Sequence, residues 1–186
     1  MTKNIIAFGA SNSTQSINKQ FAAYTASQLR GVETKLLDLN DFELPVYSPD
    51  LERTSGVPSN AARFSQLIQE SDGIIVSLAE YNGLYTSAFK NLWDWMSRLG
   101  NPKIWHDKAM FLQGTSPSRR PGSYVMKVSE YLFPRFGANI IASYHLPSYN
   151  HFFKDGQIVE PEQKERFHQA LQKFQDQLTN EGYEKS

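Results

Sequence analysis

Short apolar runs alternate along this chain with segments in which apolar side chains recur every three or four positions. This alternation predicts βαβ units built around a parallel sheet. The apolar runs predict strands from Ile5 to Gly9, Thr34 to Leu37, Gly73 to Leu78, Ala109 to Gln113 and Asn139 to Ser143. Helical stripes join Ile17, Phe21, Tyr24 and Gln28, then Phe64, Leu67 and Ile68, then Phe89, Leu92, Trp93, Met96 and Leu99. A fourth helix carries Val125, Val128 and Leu132 and ends before Pro134. The last starts near Pro161, a residue suited to a first helical turn, and carries Phe167, Leu171, Phe174 and Leu178. Trp95 falls off its helix's stripe and so points to a second buried surface, such as a subunit contact. Residues 40–59 show no clean period and hold Pro45, Pro49, Gly56 and Pro58, which predicts a long ordered loop.

The polar segments that follow two of the strands carry the chemical signal. After the first comes Gly9-Ala-Ser-Asn-Ser-Thr-Gln-Ser-Ile-Asn18, and after the third comes Ala79-Glu-Tyr-Asn-Gly-Leu-Tyr85, each leading into a helix. Open parallel sheets build ligand sites at the carboxyl ends of their strands, so two such loops suggest one ligand held between them. Five strands with these turns after the first and third fit the order 2-1-3-4-5. The expected fold is α/β, a flavodoxin-like three-layer sandwich on a five-stranded parallel sheet.

In the first loop Ser11, Ser13, Thr14, Ser16 and Asn18 offer donors beside the free N–H groups of a helix amino terminus, where the dipole favours an anion. A phosphomonoester fits there without lysine or arginine. No Gly-Lys-Ser/Thr follows and the dinucleotide glycines are missing, so neither a Walker loop nor a dinucleotide fingerprint is present. The competing reading is that Ser16 caps the helix and the other serines are turn residues.

A length of 186 residues predicts one domain over 1–186. Nineteen basic and nineteen acidic residues cancel, which leaves no electrostatic footprint for nucleic acid or an anionic membrane. There is no cysteine, so disulfides, thiolate metal sites, redox dithiols and a cysteine nucleophile are excluded. The amino terminus leads directly into a strand-like run, and no later run is long enough to span a bilayer. A soluble cytoplasmic protein is expected.

The two loops together resemble the motifs of the NADPH-dependent FMN reductase family of flavodoxin-like proteins, which includes quinone, azo-dye and chromate reductases. The family's first loop resembles G-S-x-R-x-x-S-x-N. Here Ser11, Ser16 and Asn18 match, while Ala10 replaces the glycine and Ser13 the arginine. Its second motif resembles P-E-Y-N-G-S followed by K-N-x-x-D-W, matched here by Glu80-Tyr81-Asn82-Gly83 and by Lys90-Asn91-Leu92-Trp93-Asp94-Trp95. The resemblance implies bound FMN, NADPH or NADH as donor, a small-molecule electron acceptor, and a homodimer or homotetramer with sites near the subunit interface. It implies cofactor contacts from Ser11, Ser13, Ser16, Ile17 and Asn18, from Glu80, Tyr81, Asn82 and Gly83, and from Thr115 and Ser116. Without the loop arginine a charge-assisted phosphate contact of about 1.5–3 kcal/mol is lost, so FMN is expected to exchange.

Hydride passes between nicotinamide and flavin without a side-chain acid or base, so no catalytic residue is assigned. Glu80 is expected to hold its loop or the interface rather than act as a base, and Lys90 and Asp94 to form a surface i,i+4 pair. After the fourth strand, Arg119 and Arg120 are candidates for the extra phosphate of NADPH, or solvated loop residues. The four histidines lack metal-ligand spacing. Tyr144, His145, Tyr149, His151, Phe152 and Phe153 form either a cover over the flavin or a satellite cluster on the sheet. The leading reading is an NAD(P)H-dependent flavin oxidoreductase. Its rival is a flavodoxin-type electron carrier, against which the zero net charge argues. A serine esterase ranks last, because the late Asp-x-x-His and the Gly-x-Ser-x-Gly elbow are absent.

Overall fold

The computed structural model describes residues 2–119 and 123–180. In chain order the elements are β1 (Lys3–Gly9), α1 (Ile17–Gln28), β2 (Val32–Leu37), α2 (Pro49–Ser55), α3 (Ser59–Glu70), β3 (Gly73–Leu78), β4 (Glu80–Tyr81), β5 (Leu84–Tyr85) and α4 (Ser87–Met96). They continue with β6 (Ala109–Thr115), α5 (Tyr124–Leu132), β7 (Asn139–Leu146), α6 (Tyr149–Phe152), β8 (Phe153–Lys154), β9 (Gln157–Ile158) and α7 (Pro161–Asn180). The main sheet has the order β2-β1-β3-β6-β7 and all its pairs are parallel, which is the expected doubly wound topology.

Period-two alternation divides the core. Ile5, Ala7, Ile75 and Phe111 face α1 and α7, where they meet Phe21, Phe167 and Phe174. Ile6, Phe8, Ile74, Val76, Met110 and Leu112 face the other way, against Phe64, Phe89, Leu92 and Val125 of α3, α4 and α5. Both faces are covered, which is why β3 reads as an unbroken apolar run.

Three expectations are corrected. Residues 40–59 are not simply a loop: Leu39–Phe42 form a 3-10 turn capped by Asp38, and α2 follows, capped by Ser48 with Pro49 in its first turn. α2 buries none of its residues, so no hydrophobic period announced it. Trp95 does not reach outward to a partner. It is fully buried, meets Tyr47 edge-on with centroids 5.0 Å apart, and donates from Nε1 to the Pro45 carbonyl at 2.7 Å. The off-stripe aromatic is covered by the chain's own 44–47 segment. The strands β6 and β7 also run further than their apolar runs suggested, to Thr115 and Leu146, because polar residues continue the ladder into the site.

Candidate functional site at the carboxyl ends of the strands

Gly9 determines how the first loop begins. A Cβ there would lie 2.4 Å from the Lys19 backbone nitrogen and 2.8 Å from the Asn18 carbonyl carbon, so only glycine lets α1 start this close to the end of β1. The loop then uses its own hydroxyls as acceptors. Ser13 N–H donates to Ser11 Oγ at 3.1 Å, Gln15 N–H to Ser13 Oγ at 3.3 Å, and Lys19 N–H to Ser16 Oγ at 3.1 Å. Ser16 is therefore the helix cap. Capping and anion binding are compatible, because each of these hydroxyls keeps its proton to donate. The backbone N–H groups of Asn12, Thr14, Ile17 and Asn18 make no hydrogen bond among the described residues. Four amide donors and the hydroxyl protons of Ser11, Ser13 and Ser16 thus belong to a loop that contains no carboxylate, and this set suits a phosphomonoester. The loop's nearest cation, Lys19, is paired with Asp38. Burial alone would raise the Asp38 carboxyl, but the hydrogen bonds from Lys19 and Asn40 hold it below the usual carboxylate range.

Of the predicted first-loop residues, Ser11 and Ser16 are buried, Ser13 is exposed and Ile17 is half-buried. Asn18 is 3% exposed and its carboxamide is almost saturated. Oδ1 accepts from Ser77 Oγ at 2.9 Å and from Thr115 N–H at 3.0 Å, while Nδ2 donates to the Thr115 carbonyl at 3.1 Å.

The second loop is a tight hairpin. β4 and β5 are joined by Asn82 and Gly83, with φ of 54° and 87°, the left-handed pair that a two-residue turn with the right twist requires. Glu80 lies at its base, accepting from Ser123 Oγ at 2.5 Å and from Val125 N–H at 3.2 Å, and so ties the hairpin to the start of α5. Thr86 caps α4 and donates to the Ala10 carbonyl at 2.9 Å, which links the hairpin's exit to the first loop. Tyr85 is held by Ser129 at 2.8 Å, and burial pushes its phenol up. Tyr81, Leu84 and Tyr124 are 53%, 55% and 55% exposed, and Tyr124 is the nearest neighbour of Gly83. Lys90 and Asp94 form the surface pair their spacing suggested, at 2.7 Å.

In the third loop Thr115 is buried and spends its hydroxyl proton on the Leu146 carbonyl at 2.8 Å. Ser116 is half-buried, and Arg119 is exposed with no ion pair among the described residues. Arg120 lies outside the described residues. The aromatic segment after β7 packs against α1: Tyr149 stacks on Phe153 at 4.9 Å, and Phe153 meets Tyr24 edge-on. A cleft of about 680 Å³ opens beside the first loop, bordered by Asn12, Leu39, Phe42, Val46 and Ser87. No group of three or more His, Asp or Glu side chains among the described residues could hold a metal. None of the described helices is long and apolar enough to cross a membrane.

Sequence reasoning missed Ser77, Thr86 and Ser123, each of which fixes one loop to another. Thr86 and Ser123 carried a legible signal as hydroxyl caps ahead of apolar helices. Ser77 carried none, since it sits inside an apolar strand.

A doubly wound parallel sheet in this strand order, with polar loops after its first and third strands, defines a flavodoxin-like fold. The chain belongs to the NADPH-dependent FMN reductase family, whose model matches residues 3–151. It is 37% identical over 73 residues to a 2-hydroxy-1,4-benzoquinone reductase of a Burkholderia species, covering 39% of each chain. It is 32% identical over 57 residues to a quinone reductase of Escherichia coli K12, covering 31% of this chain and 30% of that one. The matched stretches therefore span well under half of those curated relatives. Among solved structures, the flavoenzyme NAD(P)H:(acceptor) oxidoreductase FerB from Paracoccus denitrificans superposes with a TM-score of 0.75 at 22% identity, over 96% of this chain and 98% of that one. Flavodoxin 1 from Bacillus cereus gives 0.59 at 16% identity, over 93% and 97%. These two likenesses are of fold.

Proposed function

We propose that this chain is a single-domain NAD(P)H-dependent flavin oxidoreductase that passes hydride from a reduced nicotinamide through FMN to free flavin, a quinone or another small acceptor. The observation that carries this reading is the first loop, with four amide N–H groups that find no partner among the described residues and the donor hydroxyls of Ser11, Ser13 and Ser16 beside a helix amino terminus. When bound, FMN supplies the two-electron chemistry. The chain's residues bind and orient it. Ser11, Ser13, Ser16 and the amides of residues 12, 14, 17 and 18 hold the phosphate. The Asn82-Gly83 turn offers main chain without a large side chain, so backbone can approach the ring. A phosphate held by neutral donors alone forgoes the strength of a charged contact, so the cofactor exchanges.

The exposed Tyr81, Leu84 and Tyr124 support a homodimer or homotetramer in which a second copy covers the hairpin. Arg119, exposed and outside any ion pair among the described residues, is the residue we assign to the extra phosphate of NADPH. The cytoplasm, which supplies reduced nicotinamide, is the compartment this reading implies.

The test is the visible spectrum of the protein reconstituted with FMN under nitrogen, before and after stoichiometric NADPH, beside an FMN-only control. A perturbed flavin band that bleaches much faster than the control is expected. A perturbed band that stays yellow would make the protein a carrier, and an unperturbed one would remove flavin from the account.

A further inference from the structure

We propose that Asn18 is a positioning residue, one that sets the third loop against the phosphate cradle through a closed ring of hydrogen bonds and leaves ligand contact to its backbone N–H. The inference rests on the flavin-site reading above for its consequence, but the ring is independent of it.

The ring starts in the first turn of α1. The Asn18 carboxamide takes both the N–H and the carbonyl of Thr115, at 3.0 and 3.1 Å, where β6 gives way to the third loop. The loop is then gripped from β7's side. Thr115 Oγ1 donates to the Leu146 carbonyl, Tyr149 N–H to the Ser116 carbonyl at 2.9 Å, and Ser148 N–H to the Ser118 carbonyl at 2.8 Å. Ser148 adopts a left-handed φ of 49° to present that donor. Tyr149 closes the ring, its hydroxyl donating to Gln20 Oε1 at 2.8 Å, back on α1 two residues beyond Asn18. The Asn18–Thr115 bonds are buried, so water does not compete for them, while the closing Tyr149–Gln20 bond is part-buried with Gln20 exposed.

The side chain of Asn18 has little left to offer a ligand. Both acceptor positions of Oδ1 are filled, by Ser77 Oγ and Thr115 N–H, and one amide hydrogen is committed to Thr115. At the start of a helix, an asparagine that only bound phosphate would point at the loop it follows; this one points under the sheet's carboxyl edge, at β3 and β6. The cradle and the third loop consequently move as one body. An anion ordering the start of α1 also orders residues 115–118, and a loosened ring lets that loop drift from a ligand whose phosphate is still held.

Amide hydrogen exchange on the flavin-free protein tests the ring, and flavin binding tests its consequence. In Asn18→Ala and in Tyr149→Phe, exchange over residues 115–118 should rise about tenfold, the loss of one hydrogen-bond anchor, with the hairpin at 80–85 unchanged. Both variants should weaken FMN and riboflavin by the same factor, because the loop rather than the phosphate contact has changed. Asn18→Ala weakening FMN but sparing riboflavin would make the residue a phosphate ligand and overturn the proposal. So would unchanged exchange at 115–118. If Asn18→Ala does not fold, Tyr149→Phe, which removes one oxygen and leaves every first-loop side chain in place, decides the exchange result alone. A wild-type protein that binds neither flavin would refute the proposed function and leave the exchange test standing.

Discussion

The indole N–H of Trp95 donates to the Pro45 carbonyl at 2.7 Å, and that bond turns a residue off its helix's core stripe into the anchor of the 44–47 segment. Asn91 Nδ2 reaches the same carbonyl at 3.0 Å, and Asn91 Oδ1 accepts from Tyr47 N–H at 2.8 Å. Truncating a fully buried tryptophan costs about 3–5 kcal/mol, so Trp95→Ala should lower the denaturant midpoint sharply. Trp95→Phe keeps an aromatic ring and leaves the Pro45 carbonyl its Asn91 donor, and should cost less than half as much. Sedimentation should show an unchanged mass for Trp95→Phe. A shift to smaller mass would restore the subunit contact that the sequence pattern suggested.

Gly83 has room for a side chain but not the backbone for one. The nearest atom to an added Cβ is on Tyr124, 3.7 Å away, so the cost of Gly83→Ala is conformational and comes from its φ of 87°. A left-handed non-glycine residue costs roughly 1–2 kcal/mol, which chemical denaturation should register. Flavin affinity should fall with it, since the hairpin must hold its turn next to the ligand.

Glu80 ties the hairpin to the start of α5. Glu80→Gln keeps an acceptor for Val125 N–H and a group for Ser123, so turnover should stay within a few-fold of wild type and its pH profile should not change. Glu80→Ala should loosen the hairpin and raise the KM for acceptor. A hundred-fold loss of kcat in Glu80→Gln would instead make this carboxylate a participant in proton transfer.

His106 gives the fold a dependence on pH at the end of the sheet opposite the loops. Asn101 Oδ1 accepts from Lys103 N–H, which leaves Nδ2 to face His106 Nδ1 at 3.3 Å; Nε2 then carries the proton and faces Ser65 Oγ at 3.1 Å. Burial first, and the charge of Lys108 second, lower its pKa below the ordinary 6.5, with Asp107 opposing. The unfolded chain therefore binds the proton more readily. Stability is complete above about pH 6.5 and is lost as pH falls through that value towards the lowered one. Melting temperatures of wild type and His106→Gln, measured from pH 8 to about pH 5, should diverge in slope on the acid side. Parallel curves would assign the acid loss to other groups.

Arg119→Ala should raise the KM for NADPH while leaving that for NADH unchanged, if the exposed guanidinium holds the extra phosphate. Equal KM values for the two donors before and after substitution would place that recognition elsewhere.

Much of this protein was legible without coordinates because both faces of its sheet are buried. Ile5–Phe8, Ile74–Val76 and Met110–Leu112 must be apolar at every position, and helices that cover them must repeat every three to four residues, so element positions and layer count followed from pattern, and strand order from the polar turns after the first and third strands. The two polar loops were visible for a related reason: serines, asparagines and a glycine clustered where an apolar run stops serve turns and anions rather than cores. Tertiary structure decided what those polar groups are for. Asn18, Ser77 and Thr115 lie 59 and 97 residues apart along the chain from the first to each of the others, and only the parallel crossovers bring them within 3.1 Å. Trp95 was misplaced for the same reason, since the segment that buries it lies 50 residues away and has no period of its own. Hydrophobic periodicity is a local property and survives in sequence, whereas the pairing of buried polar groups is a non-local one and exists only once the chain has closed.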